Sequence, residues 1–146
     1  MHTSSRLLTC AALAAAVLVV PRAIAAGPPV NVIVSQHNTI ASLSASELKK
    51  VVSGGTKVWG SGAVVQLGII PGEAAETQGL ASLLDTTPRE LLSVIQQQVF
   101  KGDLRRPVVL RSSSDCMALA ASNPGAVCAA AAGTPVPDGA RIVPIR

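Results

Sequence analysis

Three helix-start signals, interleaved with short apolar runs, constrain this chain more than any other feature. Ser44-Ala45-Ser46-Glu47 forms a capping box, in which the serine hydroxyl accepts from the glutamate N–H and the glutamate reaches back. Thr87-Pro88-Arg89-Glu90 repeats the signal with proline at the first helical position. Ser112-Ser113-Ser114-Asp115 supplies a third N-cap cluster. Between and around them, residues 30–35, 63–70, 107–110, 126–131 and 141–145 read as strands. Residues 63–70 are almost continuously apolar, as a strand covered on both faces would be.

The first helix is expected to stop at Gly54-Gly55. A second, from Glu73 to Leu84, carries a weakening Gly79, and a third runs to Phe100 with Leu91, Leu92, Ile95 and Val99 on one face. The fourth is alanine-rich and ends near Ser122, before the turn Asn123-Pro124-Gly125. The resulting order, β-α-β-α-α-β-α-β-β, predicts a single α/β domain with a mixed, mostly parallel sheet flanked by helices.

Residues 1–25 read as a secretory signal peptide, leaving residues 26–146 as the domain. Arg6 starts it, Leu7 to Val20 is apolar apart from Thr9 and Cys10, and Ala23-Ile24-Ala25 gives an A-x-A cleavage pattern. The apolar run is short for a membrane span, so the mature chain is expected in the periplasm or secreted, with no membrane insertion. The leader also distorts the composition. The chain has 12 Lys and Arg against 8 Asp and Glu, but Arg6 and Arg22 leave with the leader, so the mature excess is small. With Trp59 and Phe100 its only aromatics, the chain has no stacking platform for single-stranded nucleic acid, and no nucleic-acid partner is expected. Cys116 and Cys128 remain, and in an exported chain they read as one disulfide, with a pair of buried free thiols as the alternative.

Enzyme motifs are missing. Gly60-Ser61-Gly62 lacks the spacing of a nucleophile elbow, a Walker loop is absent, and a nucleophile–base pair would rest on His37 alone, in a polar loop. One histidine and two cysteines twelve apart do not make a zinc site. Neither catalytic residue, metal nor cofactor is expected. What remains is a physical capacity. Helices beginning behind strands, at Pro71-Gly72-Glu73 and at Arg111 to Ser114, present free N–H groups and a positive dipole end to small anions. The candidate binding residues are Gly72 and Glu73 through their backbone N–H groups, Ser112, Ser113 and Ser114 through capping donors, and Gln36 from the loop behind the first strand.

Several stretches occur in a familiar order. Val32 to Asn38 is followed by Ile40-Ala41-Ser42-Leu43-Ser44 and Glu47-Leu48, then by Gly54-Gly55-Thr56-Lys57-Val58-Trp59. Val99-Phe100-Lys101-Gly102 precedes the serine cluster, and Asn123-Pro124-Gly125-Ala126-Val127 follows it. In this the chain resembles short, single-domain members of the phosphate ABC transporter substrate-binding family, over nearly all of residues 30–146. The resemblance implies the fold of one lobe of a type II periplasmic binding protein and a small anion such as phosphate as ligand. The family's anion loop carries Gly-Ser and a nearby Arg; residues 71–78 here carry Glu73 and Glu76 instead. Two acids there would repel a dianion by on the order of 1–4 kcal/mol. The alternative reading is an envelope protein-interaction module that kept the fold and lost the ligand, with a docking patch near Ala126 to Ala132.

Overall fold

The computed structural model describes residues 27–146; the expected signal peptide lies outside the described residues. Nine elements follow the expected order: β1 (Val30–Ser35), α1 (Ala45–Val52), β2 (Gln66–Ile69), α2 (Ala75–Leu83), α3 (Pro88–Lys101), β3 (Val108–Val109), α4 (Ser113–Ser122), β4 (Ala126–Ala131) and β5 (Ala140–Val143). The caps act as their residue types dictate. Ser44 Oγ accepts from Glu47 N–H at 3.1 Å and Glu47 Oε2 accepts from Ser44 N–H at 2.8 Å. Thr87 caps α3, which ends at Gly102 in the left-handed region (φ +80°).

The five strands form one sheet in the order β3-β2-β4-β1-β5. It is a mixed α/β sheet, but the expectation of mostly parallel pairing fails. β2 runs parallel to β3 and β4, whereas β1 is antiparallel to both β4 and β5. The reason is topological. Strand–helix–strand connections hold β2, β3 and β4 parallel, while β1 is joined by helix to neither of its neighbours and enters from the opposite direction.

Alternation along the strands divides the core. Val32, Val34, Leu67, Ile69, Val127 and Ala129 face α1, α2 and α3. Ile33, Ala126, Cys128 and Ala130 face α4. There Cys116 of α4 and Cys128 of β4 form a disulfide, their Cα atoms 5.8 Å apart and both residues buried, which removes the free-thiol alternative. The alanine-rich stretch once open to docking is no surface: β4 is the central strand, and Ala126 to Ala130 are buried.

β2 is shorter than its apolar run because Val64 turns aside to bridge Val58. The Trp59 indole then donates to Gly125 O at 2.9 Å, pinning that turn to the start of β4. Gly79, which looks like a flaw in α2, is a requirement. A Cβ there would stand 2.3 Å from Val30 Cγ1 and 2.5 Å from Pro28 O, so glycine lets the helix lie against the start of β1.

Candidate functional site

β2 and β3 end side by side, and the chain leaves them toward opposite faces, β2 into α2 and β3 into α4. This is the position where open α/β sheets hold ligands, and five of the six residues singled out from sequence gather around it. Gly72 is exposed with φ +80° in open space, and exposed Glu73 offers its carbonyl to Gln78 Nε2 at 2.7 Å. Ser112 is the N-cap of α4, its Oγ accepting from Asp115 N–H at 3.3 Å. Ser114 is exposed.

Gln36 is elsewhere. It follows the carboxyl end of β1, which lies beside the amino end of β5, and its side chain accepts from Gly139 N–H at 3.1 Å. Because β1 is antiparallel to β4, Gln36 stands at the other end of the sheet, about 20 Å away at the rise of an extended strand. It belongs to the β1–β5 corner. The exposed His37 sits in the same corner, as does the buried Nδ2 of Asn38, which has no hydrogen-bond partner among the described residues.

Ser113 decides what the site can do. Its hydroxyl, nearly buried, accepts from Ala131 N–H at the end of β4 (2.9 Å) and donates to Glu76 Oε1 at 2.8 Å. Asp115 Oδ2, in the same first turn, accepts from Arg111 N–H at 2.9 Å. Two carboxylates therefore lie at the positive end of α4, where they suit the dipole, one accepting from the Ser113 hydroxyl and the other from the Arg111 N–H just ahead of the helix. The first turn of α2 differs: Ala74 is its N-cap and provides no side-chain hydrogen bond. A shallow depression of about 570 Å³ beside it is lined by Glu73, Asp85 and Glu90, so the local field there is acidic as well.

The role of Glu76 was not readable from sequence, since 37 residues separate it from Ser113. No group of three or more His, Cys, Asp and Glu placed to hold a metal occurs among the described residues. Comparisons with protein-family models, with curated proteins and with solved structures give no match.

Proposed function

We propose that this chain is an exported, non-catalytic interaction domain, built on a solute-binding type of α/β lobe whose anion position is filled by its own carboxylates. The observation that carries the reading is the Ser113–Glu76 contact. The hydroxyl that would grip an oxyanion already donates to an internal carboxylate at 2.8 Å, and its acceptor side holds Ala131 N–H. A phosphate placed there would meet Glu76 at about 4 Å, a repulsion on the order of 4 kcal/mol per unit charge at an intermediate dielectric. Backbone donors of one helix end do not offset that twice over.

Export is supported by the leader pattern and by the buried disulfide, which fits an oxidising compartment. No described helix is long and apolar enough to cross a membrane. A second reading, a weak site for phosphate or a similar anion at the first turn of α2, is favoured by the uncapped Ala74 and the open space at Gly72.

Calorimetry at low ionic strength separates them, using phosphate and sulfate against the purified protein and its Glu76→Gln variant. The interaction-domain reading expects no saturable heat from the wild type and weak binding, at most, once the charge of Glu76 is removed. Saturable phosphate binding by the wild type replaces that reading with a solute-binding one.

A further inference from the structure

The chain enters β5 through a tight turn, residues 137–140, in which Ala140 N–H donates to Pro137 O at 3.3 Å. Its middle residues are the exposed Asp138 and the half-buried Gly139. Gly139 takes φ +95°, and a Cβ there would stand 3.2 Å from both Cα and Cβ of Ala121. The turn therefore demands glycine at this position. That demand has a chemical consequence. Of the chain's aspartates and asparagines, Asp138 alone precedes a glycine. Elsewhere the next residue carries a side chain that hinders approach of its nitrogen to the carboxyl or amide carbon, or is Pro124, which has no N–H to lose. Gln36 spans the Asp138–Gly139 bond from the opposite strand end. Its N–H donates to Gly139 O at 2.9 Å, and its Oε1 accepts from Gly139 N–H at 3.1 Å. Both backbone groups of Gly139 are thus held by one residue 103 positions away.

We propose that Asp138–Gly139 is a site of spontaneous backbone isomerisation to isoaspartate, and that the Gln36 side chain sets its rate by holding the attacking nitrogen. The step needs nothing beyond water. The Gly139 nitrogen bonds to Cγ of Asp138 as the carboxyl C–OH bond breaks, and the nitrogen's proton leaves with that hydroxyl as one water. The resulting succinimide ring takes up a water at either carbonyl. Breaking the new bond to Cγ restores aspartate. Breaking the bond to the main-chain carbonyl routes the chain through the side chain and lengthens it by one methylene just ahead of Gly139. A nitrogen whose proton is committed to Gln36 Oε1 gives that proton up less readily, so Gln36 protects the bond while the corner is closed. Isomerisation, once it occurs, undoes the clamp. The added methylene shifts Gly139 from Gln36 and disturbs the start of β5, where Ala140 pairs with Ser35.

The test is prolonged incubation, at one pH and temperature, of the whole folded protein, its Gln36→Met, Gln36→Glu and Asp138→Glu variants, and the wild type unfolded in urea. Isoaspartate is counted by enzymatic methylation with protein isoaspartate methyltransferase and located by electron-transfer fragmentation of the peptide that holds residue 138. Gln36→Met keeps the length of an exposed side chain and removes its oxygen. It should form isoaspartate about threefold to tenfold faster than the folded wild type, the factor of one net hydrogen bond. Gln36→Glu keeps an acceptor at the same reach and should stay near the wild-type rate. The unfolded wild type should be fastest, and Asp138→Glu should give no label, because its ring would have to be larger. Exchange of the Gly139 amide hydrogen reads the same contact directly, and it should quicken in Gln36→Met but not in Gln36→Glu. The proposal falls if folded and unfolded wild type isomerise alike, or if Gln36→Met matches the wild type in rate or in exchange. It falls equally if Gln36→Glu is as fast as Gln36→Met, or if the label lies at another bond.

Discussion

Breaking the Cys116–Cys128 link should reveal how much of this small domain's stability lies in one covalent constraint. The two cysteines are 12 residues apart. Closing a loop of that size restricts the unfolded chain by about 3 kcal/mol in the chain-entropy account. Reduction alone therefore costs about that much, because the thiols stay packed among Ile33, Met117, Ala120 and Ala130. Replacing both by alanine adds a small cavity, for a total of about 4 kcal/mol. Replacing both by serine leaves two hydroxyls in an apolar cluster and adds roughly 1–3 kcal/mol for each hydroxyl without a partner. For a domain of this size the alanine pair should lower Tm by roughly 10–20 °C. Urea titrations of the oxidised, reduced, Cys116→Ala/Cys128→Ala and Cys116→Ser/Cys128→Ser proteins should rank in that order. Equal midpoints for oxidised and reduced protein would refute the loop argument. Equal midpoints for the alanine and serine pairs would refute the burial argument.

Ser113→Ala should cost about 0.5–1.5 kcal/mol in chemical denaturation, since it removes the hydrogen-bond acceptor of the half-buried Ala131 N–H; Ser113→Thr should restore part of the loss. Gly79→Ala, which stabilises most helices by up to about 1 kcal/mol, should here destabilise, because the new Cβ meets Val30 and Pro28 O; a raised Tm refutes the close-packing reading. Glu47 is held below its ordinary value of 4.5, chiefly by the hydrogen bond from the Ser44 backbone N–H and secondarily by Arg146. A depressed carboxylate pKa stabilises the fold above the ordinary value and loses that effect as pH falls through the folded-state value. Acid titration of stability should therefore be shallower in Glu47→Gln than in the wild type, and parallel curves would remove Glu47 from the acid transition.

What could be read from the sequence was what short-range chemistry encodes. Three of the four helix starts and the element order follow from residues within four positions of one another, as in Ser44 with Glu47 and Thr87 with Glu90, whereas α2, expected from Glu73, starts at Ala75 with no side-chain cap. β1 and β4 match their expected bounds because their β-branched or small residues end at turn signals. Pairing is another matter. Nothing local to Val30–Ser35 says that β1 lies between β4 and β5, and the misplaced expectation for Gln36 follows from that one gap. The serine cluster was correctly placed at a helix start, but its chemistry was set by Glu76 on a different helix. Phe100 reads from sequence as the end of α3, and nothing local to it tells that its ring stands 94% exposed.

The position of β1 also orders events in time. Its partners in the ladder, such as Val30 with Ala131 and Ile33 with Ile142, lie about a hundred residues later in the chain. Until those residues are available, β1, an inner strand of the finished sheet, has no neighbour on either side. The β2–β3–β4 unit has shorter connections and can assemble first, so closure of β1 and β5 onto it is the slow, long-range step. A chain that crosses a membrane before folding gains from that delay: its leading segment remains threadable until its trailing segment arrives.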